Sequence, residues 1–258
     1  MNTNFLNVIE EMSNILKEKR VLLACSTGVD STVLLDLLLQ IKGIKEVVIA
    51  HVNHQKRTES VTEEAYIKEY CLKNNLRCFT LKLPIKQNGN FQEWARNQRY
   101  QFFKTIIKEE ECDILLTAHH ADDNLETILM RFIKGSSLKG YAGIPKITKE
   151  DSYSIYRPLL SISKKEIVEY AKDKNIKYFE DASNSEDDYT RNRIRKYLVP
   201  VMLQENPSLY NAVNTYSNTL FESSKMLEEQ IKKFIKNEVV YDNNIISIKI
   251  ESLLKERV

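Results

Sequence analysis

The sequence predicts an α/β protein, with a doubly wound, mostly parallel sheet followed by a helical extension. Two observations carry this prediction. Apolar runs rich in Val, Ile and Leu recur at 20–25, 46–52, 77–83 and 112–117, and each is followed by a longer segment with helical spacing. Those segments are DSTVLLDLLLQIK, ESVTEEAYIKEYCLKNN, FQEWARNQRYQFFKTIIKEE and ADDNLETILMRFIKG, with Asn, Asp, Gly or Pro near most of their ends. Alternation of this kind builds βα units, and open sheets made of them take ligands beyond the carboxyl ends of their strands.

After KGSSLKGYAGIP the alternation stops. SKKEIVEYAKDKN, the polar turn EDASNSEDD and the basic YTRNRIRKYLVP are expected to pack on the sheet as helical additions. Residues 207–237 form an amphipathic stretch of one or two helices, and VVYDNNIISIKIESLLKERV reads as a hairpin or as a strand entering another helix. The boundary is placed at residue 200. A main domain covers 1–200, and a helical linker with the start of a further region covers 201–258, because the last residues carry neither cap nor breaker.

The composition excludes several classes. A chain of 258 residues with 42% hydrophobic content can bury a substantial core. Lys and Arg number 38 against 36 Asp and Glu, so any nucleic-acid contact has to come from local patches. The cysteines at 25, 71, 78 and 112 form no CxxC pair, and the histidines at 51, 54, 119 and 120 lack zinc-finger spacing from them. Acidic residues interrupt the amino-terminal apolar runs, and no segment reaches the ~18 apolar residues of a membrane span. A reduced, cytosolic protein without a membrane partner is expected.

STGVDS, Ser26 to Ser31, lies between the first apolar run and the first helical segment. A small polar turn there presents unpaired backbone N–H groups at one spot, which suits a phosphate. It lacks the Lys of a Walker A loop, and GxGxxG is absent from the chain. STGVDS resembles the SGGxDS pyrophosphate loop of the N-type ATP pyrophosphatases, with Thr27 where that pattern usually has Gly. A side chain at 27 is tolerated if its φ stays negative, with Gly28 left to supply the unusual backbone conformation. Asp30 beside a triphosphate is a candidate Mg²⁺ contact, since two anions need a cation between them. The plain alternative is a turn in which Asp30 and Ser31 only cap the helix.

Two further loops follow strands. AHVNHQKR carries His51, Asn53, His54 and Arg57, which either line a nucleotide site or satisfy local hydrogen bonds. TAHHADDNLETILMR carries His119 and His120 ahead of Asp123 and Glu126, whose spacing of three places both carboxylates on one helical face. An acidic first turn is also what the helix dipole favours, although that leaves the two histidines unexplained.

Taken in order, STGVDS, HVNHQKR, EWARNQRY, TAHHADDNLET, KGSSLKGYAGIP, RPLL and RNRIRKYLVP resemble the motif series of the tRNA(Ile)-lysidine synthetases, PP-loop enzymes within that superfamily. The resemblance covers residues 20 to about 200. It implies a PP-loop ATP pyrophosphatase domain in which ATP adenylates the carbonyl oxygen at carbon two of the wobble cytidine in a CAU anticodon. The ε-amine of free L-lysine then attacks that carbon and expels AMP. The implied assignments are ATP at Ser26, Thr27, Gly28, Val29, Asp30, Ser31, His51 and Asn53, with Mg²⁺ at Asp30, and lysine at Asp123 and Glu126. Asp30, His120, Asp123 and Glu126 form the catalytic set, with His120 the candidate base. The resemblance also implies a homodimer, for which no interface is legible.

The guanidinium pairs Arg96/Arg99 and Arg191/Arg195 are three and four apart, so each projects from one helical face toward phosphate or tRNA. Arg193 and Lys196 are read as solvated, Trp94 and Tyr100 as packed on the sheet, and KGSSLKGYAGIP as a mobile loop. Cys25 is the one cysteine near the site. Two rival readings remain. One is tRNA thiolation, which would call for paired reactive cysteines, and the other is a nucleotide-binding module without turnover.

Overall fold

The computed structural model describes residues 3–53, 55, 59–84, 91–179, 190–242, 245–248 and 250–251. His54, Arg57 and the turn EDASNSEDD lie outside the described residues. The four anticipated strands are β1 (Arg20–Ala24), β2 (Glu46–Asn53), β3 (Arg77–Lys82) and β4 (Ile114–Leu116). The helices after them are α2 (Val29–Leu39), α3 (Glu59–Lys73), α4 (Phe91–Glu109) and α5 (Ala121–Lys134). A further parallel strand, β6 (Ser154–Tyr156), and its antiparallel neighbour β5 (Ile147–Lys149) escaped the sequence, because three residues are too few to show a period of two.

Among the described residues the main sheet runs β3-β2-β1-β4-β6-β5 and is parallel from β3 through β6. Its order reverses between β1 and β4, with Val21 facing Val47 on one side and Ile114 on the other. Loops leaving the carboxyl ends of two such strands diverge to opposite faces and leave a crevice between them. The loops at this crevice are STGVDS and TAHHADD.

Side chains alternate across the pleat, so both faces are apolar and both are covered. Val21, Leu23 and Ile49 pack under α2 and α7 (Lys164–Asp173). Leu22, Val48 and Leu115 pack under α4 through Phe103, Ile106 and Ile107. An unanticipated amino-terminal helix, α1 (Thr3–Leu16), closes the first face with Phe5, Val8, Met12 and Leu16. The spacing of those four residues was a readable helical signal.

After the short α6 (Leu138–Tyr141), the hairpin β5–β6 and α7, the chain adds a third packing centre. α8 (Thr190–Arg193) continues through a wider π turn at Ile194–Leu198 into α9 (Val199–Glu205). Pro200 has no N–H to donate and crowds the carbonyl four residues earlier, which accounts for the widened turn. The domain boundary expected at residue 200 falls inside the first turn of α9. α10 (Leu209–Glu238) is one helix of 30 residues and leads into the expected hairpin, β7 (Val239–Asp242) with β8 (Ile245–Ile248). Leu125, Ile194, Val199 and Leu209 form the core between α5 and this carboxyl-terminal helical part. None of the described helices is long and apolar enough to cross a membrane.

Phe5 is 1% exposed, with its ring centroid 4.5 Å from that of Tyr170 on α7. Phe5→Ala is therefore expected to cost about 3–5 kcal/mol, read as a lowered denaturant midpoint with an unchanged slope.

Candidate active site

The STGVDS loop begins where Cys25 N extends the β1–β2 pairing to Ala50 O at 2.9 Å. The backbone then departs from expectation. Thr27 takes φ +65° and Gly28 takes φ −70°, so the left-handed residue is Thr27 and not Gly28. A β-branched residue in that region is strained, by about 1–2 kcal/mol. Tertiary contacts hold it there. Thr27 is fully buried, its Oγ1 donates to Ser26 O at 2.5 Å, and its carbonyl accepts from Phe179 N at 3.1 Å. Ser31 Oγ accepts from Ser26 N at 3.1 Å and donates to Gly28 O at 3.0 Å. Ser31 thus clasps the loop shut, and the first-turn N–H groups of α2 are left for an anion.

A charged cluster fills the crevice. Lys164, at the start of α7, places Nζ 2.6 Å from Asp30 Oδ1 and donates its backbone N to Asp122 Oδ2 at 2.7 Å. Tyr210 on α10 donates to Asp122 Oδ1 at 2.5 Å. His120 lies among three carboxylates, with Asp122 and Asp123 each at 3.4 Å and Asp30 at 3.9 Å. Burial lowers the His120 pKa, yet the acids outweigh burial and raise it above the ordinary value. His120 is absent from the cavity lining and is held by acids, whereas the base role expected for it calls for reach to the substrate. Burial pushes His119 down to about 4, assisted by Arg157, Arg99 and Arg96, while Thr117 Oγ1 holds its Nδ1 at 2.9 Å. His119, neutral at pH 7, is the histidine that lines the cavity.

Asp123 and Glu126 share a helical face as expected but meet different partners. Asp123 lines the cavity. Glu126 is 0% exposed and binds Arg195 through both oxygens, at 2.6 and 3.1 Å, with Arg191 Nε at 3.4 Å. Burial raises its pKa while Arg195 pulls against that rise. With its oxygens engaged, Glu126 holds the two arginines, and the direct lysine contact expected of it would first require breaking a bidentate ion pair. Arg191 nonetheless reaches the cavity wall.

The cavity, of about 330 Å³, has Ser26, Asp30 and Ser31 on one side and Arg96, Arg99 and Tyr100 on the other. Tyr100 also packs on the sheet and lies 5.0 Å from the Arg96 guanidinium and 5.7 Å from that of Arg99. Trp94 packs in the same core cluster, as expected. His51 and Asn53 do not line the cavity. His51 Nδ1 lies 2.9 Å from Cys25 O, and Asn53 bonds Ser60 O, Glu64 and Gln55 N, so the local hydrogen-bond alternative describes both. Cys25 does line the cavity, with its thiol pushed up by burial.

Three site residues went unread in the sequence. Lys164 and Tyr210 are far along the chain from their partners and carry no local pattern, and Arg157 sits within RPLL. Arg157 is buried and fastens Pro145 O at 2.7 Å and Thr148 at 3.0 Å. The segment KGSSLKGYAGIP, expected as a mobile loop, carries a short helix and several hydrogen bonds. It forms α6, Arg131 on α5 donates to the carbonyls of Gly140 and Gly143, and Asn124 accepts from Ile144 N at 2.7 Å.

Comparison with known proteins agrees with this geometry. The PP-loop domain family matches residues 1–202. The chain belongs to that family. It is 36% identical over 240 residues to a tRNA(Ile)-lysidine synthase of Enterococcus faecalis, covering 92% of this chain and 52% of that protein. It is 35% identical over 231 residues to the enzyme of the same name from Staphylococcus aureus, covering 87% and 54%. A bifunctional protein TilS/HprT of Listeria innocua is 35% identical over 240 residues, covering 90% and 37%. The chain spans about half the length of the two lysidine synthases it matches. Its fold is that of the U34-tRNA thiolase NcsA from Methanococcus maripaludis, with a TM-score of 0.69, 17% identity, and coverage of 84% of this chain and 78% of that one.

Two predictions follow from PP-loop geometry in this chain. Thr27→Gly removes the left-handed strain that Thr27→Ala keeps, so the Gly variant should be the more stable of the two by about 1 kcal/mol in chemical denaturation. The Asp122 pKa is held at about 2 against a usual 3.8: burial opposes ionisation, while His120, Tyr210 and the Lys164 N–H outweigh it. A depressed carboxylate stabilises the fold above its unfolded pKa. About 2 kcal/mol should therefore be lost as pH falls from about 4 to about 2, and Asp122→Asn should flatten that limb of the stability–pH curve.

Proposed function

We propose that this chain carries the ATP-dependent ligase activity of a tRNA(Ile)-lysidine synthetase, joining lysine to carbon two of the wobble cytidine of a CAU anticodon. The supporting observation is one cavity flanked by a phosphate-type loop, an acid at Asp123 and three guanidiniums, in a chain 35–36% identical to lysidine synthases. That combination supplies sites for a nucleotide, an ammonium and a polyanion.

In this reading the first turn of α2 and the Ser26 hydroxyl hold the triphosphate, and Asp30 lies beside it. Mg²⁺ would supply charge neutralisation for the departing pyrophosphate. Lys164 engages only Oδ1 of Asp30, at 2.6 Å, so Oδ2 would be the oxygen offered to the ion. The described residues contain no group of three His, Cys, Asp or Glu able to hold a metal by themselves, which fits an ion arriving on its nucleotide.

Arg96, Arg99 and Arg191 would steady the tRNA backbone and the charge that builds on the adenylated intermediate. Asp123 would position the lysine ammonium, which loses a proton before attacking carbon two and expelling AMP. His119, a neutral imidazole on the cavity wall, is placed to accept a hydrogen bond there, whereas His120 anchors the acids. Thiolation finds less support, since burial keeps Cys25 a thiol and the thiolase likeness is one of fold.

The decisive assay follows radiolabelled lysine into an unmodified tRNA(Ile) CAU transcript with ATP and Mg²⁺, with AMP measured in parallel and a methionine tRNA as control. Label in the isoleucine tRNA alone supports the proposal, and neither label nor AMP from a folded, ATP-binding chain overturns it. Asp123→Asn, which loses a charge-assisted contact, should raise the KM for lysine about 10- to 100-fold and leave the KM for ATP within about 2-fold.

A further inference from the structure

α10 begins beyond residue 202, where the PP-loop match ends, yet its first three turns reach the centre of the site. The Tyr210 hydroxyl bonds Asp122 at 2.5 Å, and Ser217 Oγ accepts from Asn124 Nδ2 at 3.1 Å. Asp122 and Asn124 are the residues on either side of Asp123, the acid of α5 that faces the cavity. Leu209 is buried against Leu125 in the same contact. α10 therefore grips the first turn of α5 at both neighbours of its cavity-facing acid.

We propose that Tyr210 is a positioning residue of the site, orienting Asp122 and, through it, His120, Asp123 and the Lys164–Asp30 pair. Asp122 has two oxygens and three claimants. Tyr210 takes Oδ1, the Lys164 backbone N–H takes Oδ2, and His120 Nδ1 stands 3.4 Å from Oδ2, buried and without an aligned hydrogen bond. The charged groups facing this arrangement are Asp30 from α2, Asp123 from α5, Lys164 from α7 and Arg195 from the π turn. With Tyr210 in place, Asp122 cannot swing onto His120 Nδ1. Without it, the carboxylate rotates to that ring, loosens the cap on α7, and draws His120 Nε2 away from Asp123 and Asp30. The start of α10 thus belongs to the active site, and nucleotide binding and α10 docking are coupled through one carboxylate.

The inference deepens the ligase reading and rests on it for its kinetic arm alone. Amide hydrogen exchange over residues 209–217 is measured for the native chain and Tyr210→Phe, each with and without ATP, Mg²⁺ and lysine. Exchange that slows with ligands in the native chain but not in Tyr210→Phe supports the coupling. Equal slowing in both proteins, or none in the native chain, overturns it. In the kinetic arm Tyr210→Phe should lower kcat/KM for ATP about 10-fold, with ATP binding weakened by the factor that the lost coupling supplied. Its effect should vanish in an Asp122→Asn background, whereas full additivity of the two substitutions would mark a merely structural contact. Ser217→Ala, which leaves Asp122 untouched, is the companion variant and should keep the ligand-dependent slowing at Tyr210. A native chain that slows exchange but transfers no lysine would sink the ligase reading and leave this coupling standing.

Discussion

The parallel pairing of β1 with β4 is the constraint on which the site depends. Because Val21 lies opposite Ile114 and Leu23 opposite Leu116, the two strands end at the same level, and the loops leaving them emerge side by side. One loop turns into α2 and the other into α5, so two helix amino termini converge on one crevice. Their positive ends suit phosphate, and they also allow Asp30, Asp122 and Asp123 to gather there at lower electrostatic cost.

Convergence of acids creates a charge problem that the rest of the chain resolves. Apart from Asp123, whose Oδ2 accepts from the nearby His120 N at 3.1 Å, these carboxylates have partners drawn from far away in sequence: Lys164 for Asp30, Tyr210 and a backbone N–H for Asp122, Arg195 and Arg191 for Glu126. These partners sit on α7, α8, the π turn and α10, so the helices added after the sheet complete the electrostatics of the site as well as covering it. An acid left unpartnered in such surroundings would be driven toward its neutral form. The same acids raise the His120 pKa, while burial lowers that of His119, the histidine facing the cavity, to about 4.

The loop itself shows tertiary context overriding local preference. A glycine-rich pyrophosphate loop would reach a left-handed conformation at little cost, whereas this chain reaches it with Thr27. The side chain that makes the conformation costly is also buried, and its hydroxyl is bonded within the loop, so the strain is held by packing and hydrogen bonding together.

The sequence by itself determined the four βα units, the places where STGVDS and TAHHADD interrupt them, and the arginine pairs. Each is written in periodicity or in short-range spacing, which a linear reading detects. α1 was equally legible in the spacing of Phe5, Val8, Met12 and Leu16. Tertiary structure alone decided that Thr27 and not Gly28 is left-handed, that Glu126 binds arginines while its neighbour Asp123 faces the cavity, and that His51 and Asn53 serve local hydrogen bonds. It also decided that Lys164 and Tyr210 belong to the site. Apart from Asn53, whose partners are local, they share one physical reason. A side chain's role here depends on which partner reaches it across tens to more than a hundred residues, and periodicity records the face a residue occupies but not the charge or donor that folding brings opposite it.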